Sequence, residues 1–204
     1  MPTRELDASA RLGVPVSLSV VADPVSPGAL AAGERAQWRA LAPGPRRDEW
    51  LLGRTALKQL VPDGADTSAM TFPHPRFSLT HGGGRGVAAR VEGEVVGTGV
   101  DFEPFRRSAD PRSARFFLRP VEHVGVCDAS SLLRLWTVKE ALYKATPDNA
   151  ELVLVDYEIG DATRRWGEAT GPRGELMRYA SMETADGQLT VAVCILGARR
   201  HGAV

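Results

Sequence analysis

Two carboxylates close an apolar, glycine-rich run, and further along a third carboxylate and a lysine recur at helical spacing. In Val95-Val96-Gly97-Thr98-Gly99-Val100-Asp101-Phe102-Glu103, the alternation of a strand turns Asp101 and Glu103 to one face. In Trp136-Thr137-Val138-Lys139-Glu140-Ala141-Leu142-Tyr143-Lys144, Trp136, Glu140 and Lys144 stand at i, i+4 and i+8, on one helical face. A fold that docks this helix on this strand gathers three carboxylates and an ammonium. That set suits a hard divalent cation and a pyrophosphate beside it.

The residues alone leave a second reading open at each position. Asp101 and Glu103 are also what a solvated strand end looks like. The apolar, glycine-bearing run before them argues instead for a buried strand or a close backbone approach. Glu140 and Lys144 are also an ordinary i, i+4 surface pair, worth roughly 0.3–0.5 kcal/mol. Leu132, Leu133, Leu135, Val138, Ala141 and Leu142 leave that helix little wholly polar surface, which puts Glu140 at the edge of a buried face.

The wider chain reads as a series of short elements. Val14–Val20 alternates as a strand, and Gly28–Leu41 and Arg46–Val61 read as helices broken by Pro43-Gly44-Pro45. Arg76–Thr80 is extended, and Val87–Val91 with Glu94–Asp101 is expected to form a hairpin about Glu92-Gly93. The second half repeats the order, with a helical stretch near Ser113–Leu118, a stronger helix over Ser131–Ala145 and a strand over Leu152–Ile159. A hairpin of Met177–Glu183 and Leu189–Leu196 follows, about Asp186-Gly187. Trp50, Arg54 and Lys58 repeat the spacing of Trp136, Glu140 and Lys144. Together these predict a duplicated α+β chain with halves 1–100 and 101–204.

Composition narrows the class. A net charge of zero gives no global pull toward nucleic acid or an anionic membrane. No apolar run approaches the roughly 18 residues of a membrane span. Met1-Pro2-Thr3-Arg4-Glu5 lacks the regions of a signal peptide, and two cysteines, Cys127 and Cys194, form no metal or disulfide pattern. A reduced cytoplasmic protein is expected. Charge is uneven, however. Pro104–Pro120 carries Arg106, Arg107, Arg112, Arg115 and Arg119 against Asp110 alone.

Gly-Val-Asp-x-Glu followed by Trp-Thr-x-Lys-Glu-Ala-x-x-Lys resembles the signature of the 4′-phosphopantetheinyl transferases, in particular the larger, monomeric, surfactin-synthetase-activating type. That resemblance implies an enzyme built from two similar α/β halves about a pseudo-twofold axis, with its active site at their junction. It implies transfer of the phosphopantetheine arm of coenzyme A to a serine of an apo acyl, polyketide or peptidyl carrier protein, releasing 3′,5′-ADP. Asp101, Glu103 and Glu140 would bind Mg²⁺, or Mn²⁺ in its place. Glu140 would also be the general base, and Lys144 would contact a coenzyme A phosphate. Lys139, the other lysine of the motif, contacts phosphate or is simply solvated.

Two further segments carry the resemblance. Phe77-Ser78-Leu79-Thr80-His81 is similar to a family segment whose hydroxyl and histidine meet the 3′-phosphorylated nucleotide, which implies that role for Thr80 and His81. On the residues alone His81 is either an ordinary loop histidine or a ligand contact. Gly82-Gly83-Gly84 departs from the family pattern and either approaches a phosphate or makes a turn. Arg46-Arg47-Asp48-Glu49-Trp50-Leu51-Leu52-Gly53-Arg54 resembles a family helix in which Arg47 and Arg54 would grip the adenosine phosphates. The basic segment Arg106–Arg119 would steer an acidic carrier to the site. Phe116, Phe117 and Leu118 read as the inner face of a short helix, and Trp136 as packing under the site. The alternative to an enzyme is a non-catalytic module that binds carrier protein and coenzyme A.

Overall fold

Two long helices each cover an antiparallel sheet in the computed structural model, which describes residues 8–107 and 110–195. The expectations for Met1–Glu5, for Leu196 and for Ser108 and Ala109 of the basic segment lie outside the described residues. The first sheet has the order β1-β3-β2, from β1 (Val16–Val21), β2 (Phe77–Gly82) and β3 (Arg85–Val91). The second has the order β4-β8-β7-β6-β5, from β4 (Val95–Pro104), β5 (Glu158–Ile159), β6 (Trp166–Thr170), β7 (Leu176–Glu183) and β8 (Gly187–Ile195). Helix α3 (Pro45–Lys58) packs on β2 and β3, and α4 (Ala129–Ala145) on β4 and β8. Shorter α1 (Ala8–Leu12) and α2 (Ala32–Ala40) complete the fold, a mixed α+β architecture as expected.

Local chemistry sets the two main helices. Pro45 opens α3 at a position that needs no backbone donor. Asp128 caps α4, its carboxylate accepting from the Ser131 amide at 2.7 Å while the Ser131 hydroxyl accepts from the Asp128 amide at 2.9 Å. The helix ends before Pro147. Its apolar stripe of Leu135, Val138, Leu142 and Ala145 closes a core with Met177, Tyr179, Ala192 and Cys194. A second cluster gathers Val87, Ala89 and Val91 of β3 with Val100 and Phe102 of β4 and Val191 and Val193 of β8. With Val100 and Phe102 committed to that cluster, Asp101 and Glu103 fall on the face toward α4.

Strand β4 is where the structure departs most from expectation. Val87–Val91 and Glu94–Asp101 do not form a hairpin. β3 pairs with β1 and β2, and β4 crosses into the second sheet to pair with β8. The residue pattern gives the reason, because every residue from Gly97 to Glu103 is buried, and a strand covered on both faces belongs inside the fold. The expected division between residues 100 and 101 falls within this strand. The two halves share a plan of helix over antiparallel sheet, with three strands in one and five in the other.

Smaller differences have local causes. Leu152–Ile159 is mostly not a strand: Leu154–Asp156 forms a 3₁₀ turn and only Glu158–Ile159 pairs. The Tyr157 carbonyl there accepts from Lys139 instead of from a ladder partner. Residues near Ser113–Leu118 form a 3₁₀ turn, Pro111–Phe116, capped by Asp110. Phe116 is exposed, whereas Phe117 and Leu118 are buried. Gly83 and Gly84 both have positive φ, 62° and 79°, and make the two-residue turn between β2 and β3.

Candidate functional site

The site lies where β2, β4 and α4 meet, and glycines decide how closely they meet. A Cβ on Gly99 would lie 1.9 Å from the Ala141 carbonyl oxygen, and one on Gly97 would lie 1.8 Å from that of Ala145. No other residue allows that approach. It brings the α4 face bearing Trp136, Glu140 and Lys144 against Asp101 and Glu103. On the other side, the Ser78 hydroxyl accepts from the Val100 amide at 2.9 Å, tying β2 to β4.

Lys144 is the centre of this junction. Its Nζ donates to Asp101 Oδ1 at 2.7 Å, to Thr80 Oγ1 at 3.3 Å and to the Val100 carbonyl at 3.4 Å. The Thr80 hydroxyl in turn donates to Asp101 Oδ1 at 3.2 Å. Asp101 is buried, and its second oxygen, Oδ2, is buried with no partner among the described residues. Half-buried Glu140 makes no hydrogen bond among the described residues. Burial, and next the charge of Asp101, push its carboxyl above the usual range, while Lys144 pulls it back.

Glu103 is engaged differently. Its Oε1 accepts from Trp136 Nε1 at 3.1 Å and from the Arg107 guanidinium, which also lies 5.5 Å from the Trp136 ring centroid. Phe117 packs edge-on against that ring, 5.1 Å between centroids. Trp136, expected as packing, and Arg107, expected in a steering patch, both bind the Glu103 carboxylate. The i, i+4 relation of Glu103 to Arg107 was the signal that could have paired them.

A pocket of about 860 Å³ opens here. Asp101, Glu103, Glu140, Lys144, Thr80 and His81 all line it, as do Arg106 and Arg107. His81 Nδ1 lies 3.5 Å from Glu49 Oε2, and Glu49 was not anticipated.

Three expected contacts are placed elsewhere. Lys139 is fully buried, held by Glu122 at 2.7 Å and by the Tyr157 carbonyl. Glu122 also accepts from the amides of Ile159 and Arg119. Burial pushes the Lys139 ammonium below its usual range and Glu122 pulls it back. Arg54 is buried as well, donating to the carbonyl and hydroxyl of Thr67 at 2.8 and 3.0 Å. Arg47 stacks on Trp38, 3.5 Å from guanidinium carbon to ring centroid, and its Nε is buried without a partner among the described residues. None of the three lines the pocket.

Among the described residues no group of three or more His, Cys, Asp or Glu side chains is arranged to hold a metal ion. Asp101 and Glu140 nonetheless suit one, since both are acidic oxygen donors facing one pocket, one with a buried orphan oxygen and the other destabilised as an anion.

Residues 97–194 match the model of the 4′-phosphopantetheinyl transferase superfamily, the ACPS family. Phosphopantetheinyl transferases of this kind use coenzyme A as substrate and typically a divalent metal, and act on carrier proteins. The match to the transferase superfamily runs from β4 through α4 to β8, so it contains Asp101, Glu103, Glu140 and Lys144. It leaves out Arg47, Arg54, Thr80 and His81. No curated protein matches the chain. No helix among the described residues is long and apolar enough to cross a membrane.

Proposed function

We propose that this protein transfers the 4′-phosphopantetheine group of coenzyme A to a serine of an apo carrier protein, releasing 3′,5′-ADP, as the larger monomeric transferases do. The observation that carries the reading is the meeting of Asp101, Glu140 and Lys144 in one pocket, within the stretch that matches the superfamily. Asp101 and Glu140 would hold Mg²⁺, and Glu103, which is paired with Arg107, would be a third ligand. The bound cation supplies charge neutralisation for the pyrophosphate.

The chain's own residues do the rest. Coenzyme A lays its pyrophosphate in the pocket and its 3′-phosphate toward His81, with Arg47 swinging from Trp38 to meet the nucleotide end. Thr80 and Lys144 hold Asp101 in place. The carrier serine forms a new O–P bond at the β-phosphorus, and the bond to the bridging oxygen breaks. Glu140 takes the serine proton, a role suited to a carboxylate that lines the pocket and makes no hydrogen bond with its side chain among the described residues. Lys144 faces the negative charge that appears on 3′,5′-ADP. Arg106 and Arg107, at the rim, meet the acidic surface of the carrier.

The test is the intact mass of an apo carrier protein incubated with this protein, coenzyme A and Mg²⁺. The expected result is a gain of one phosphopantetheine arm, lost with EDTA and with serine-to-alanine in the carrier. No gain across fatty acid, polyketide and peptide carriers, with coenzyme A still bound, would leave a binding module in place of an enzyme.

A further inference from the structure

Thr137 follows Trp136 on α4, three residues before Glu140, and nothing in the reaction above uses it. Its side chain belongs to a chain of three hydroxyls. Thr137 Oγ1 donates to the Arg134 carbonyl at 2.8 Å, Thr190 Oγ1 lies 2.8 Å from Thr137 Oγ1, and Ser181 Oγ lies 2.7 Å from Thr190 Oγ1. All three residues are fully buried. With the Thr137 proton spent on the carbonyl, Thr190 donates to Thr137 and Ser181 donates to Thr190, so every proton has one acceptor.

The hydroxyls lie along one row of the second sheet. Asp101 on β4, Thr190 on β8 and Ser181 on β7 are register partners, so their side chains share a face, the one under α4. In the neighbouring row on that face Gln188 is the partner of Glu103, and its amide donates to the Ser130 hydroxyl of α4 at 3.0 Å. Strand β8 therefore grips α4 by hydrogen bonds in the same two rows in which β4 presents its carboxylates. At Gly99 and Gly97 the contact changes to bare backbone against Ala141 and Ala145.

A clasp at this place bears on two carboxylates at once. Cross-strand partners such as Thr190 and Asp101 have Cβ atoms about 5 Å apart. Thr137 and Glu140, three apart on one helix, are neighbours at about 5–6 Å. The Thr190–Thr137 bond is thus one side chain removed from Asp101 on the strand and from Glu140 on the helix. An O–H···O bond holds its length within a few tenths of an ångström, whereas an apolar contact of the same shape lets a helix slide. Replacing both partners of such a buried bond by apolar groups is close to neutral for stability, so hydroxyls here contribute position more than stability.

We propose that Thr190 and Thr137 are positioning residues of the cation site, their hydrogen bond setting the separation of Asp101 from Glu140. The inference rests on the reading of those two carboxylates as ligands of a divalent cation. Neither threonine touches the cation; each acts through the carboxylate beside it.

The probe is Mn²⁺ alone, whose free fraction is read by electron paramagnetic resonance, titrated into wild type, Thr190→Val and Thr190→Ser. Valine keeps the shape and loses the hydroxyl; serine keeps the hydroxyl and loses the methyl group. Both variants are expected to lower the urea midpoint. Only Thr190→Val is expected to weaken Mn²⁺ binding, about tenfold, with Thr190→Ser close to wild type. A purely structural role would make Mn²⁺ affinity follow the midpoint in both. Equal weakening in the two variants, or wild-type affinity in Thr190→Val, overturns the proposal and leaves the transferase reading standing. Wild-type protein that binds no Mn²⁺ overturns the cation reading together with it. If Thr190→Val does not fold, Thr137→Val against Thr137→Ser makes the same comparison from the helix side.

Discussion

Lys144 holds one oxygen of Asp101 and leaves the other bare: Nζ is 2.7 Å from Oδ1, while Oδ2 is buried without a partner among the described residues. A carboxylate fixed on one side and vacant on the other is oriented for a second cation. Glu140, half-buried and unbonded, faces the same space, and its charge is costly there.

That cost makes Glu140 a test of function against stability. Its carboxyl is raised from an ordinary value of 4.5, so the folded protein binds a proton more tightly than the unfolded chain does. The contribution of this group to stability is therefore fully present below pH 4.5 and is lost as pH rises through the folded value. Without divalent cation, Glu140→Gln should match wild type in acid and become progressively more stable than it toward neutral pH, read by urea denaturation across that range. The same variant should transfer phosphopantetheine about 10³-fold more slowly. Near-normal turnover would remove Glu140 from the chemistry.

Gly99→Ala tests the packing that assembles the site. The added methyl would sit 1.9 Å from the Ala141 carbonyl, and backbone on both sides cannot yield cheaply. We expect a loss of about 3 kcal/mol in urea denaturation, with Asp101 and Glu140 drawn apart. An unchanged midpoint would show that α4 tolerates a wider spacing.

The Lys139–Glu122 pair is an ion pair with both partners almost fully buried. Glu122→Ala strands an ammonium in the core and should cost about 3–5 kcal/mol, whereas the double replacement Lys139→Met with Glu122→Leu removes that charge but leaves the Ile159 amide and the Tyr157 carbonyl unpaired, and should cost less, about 1–3 kcal/mol. If the double variant keeps full transfer activity, Lys139 serves the fold alone.

Arg54 and Arg47 lie on one helix and should behave differently. Arg54→Ala removes hydrogen bonds to Thr67 and should cost about 2 kcal/mol of stability. Arg47→Ala should leave the melting temperature nearly unchanged and raise the apparent KM for coenzyme A. An unchanged KM would remove Arg47 from the site.

Arg107→Ala frees Glu103 of its ion pair. The expected outcome is tighter Mg²⁺ binding in calorimetry together with a higher KM for the carrier. Weaker Mg²⁺ binding would mean that Arg107 supports the cation site instead of competing for it.

Much of this was legible in the chain. The alternation of Asp101 with Glu103 and the helical spacing of Trp136, Glu140 and Lys144 are local properties of strand and helix, and both survive in the fold. The hairpin of β7 and β8 survives as well, but its turn is the three residues 184–186, and Gly187 already pairs as the first residue of β8. What failed was partner choice. Glu92-Gly93 looked like a hairpin turn, yet β4 pairs with β8, nearly ninety residues further along. Hairpin chemistry says that a chain can turn, and burial on both faces says which sheet a strand joins.

The sequence by itself determined which residues form the strand and helix, which charges share a face, and that two carboxylates would end a buried run. Only the tertiary structure decided which cations meet which anions. Helical spacing already put Lys139 and Lys144 on different sides of α4, but not what each side meets. One is turned into the core against Glu122, and the other into the pocket against Asp101. The physical reason is that helical spacing fixes relative directions on one element, whereas the surroundings of each direction come from distant segments packed there. Gly97 and Gly99 set how near those segments come.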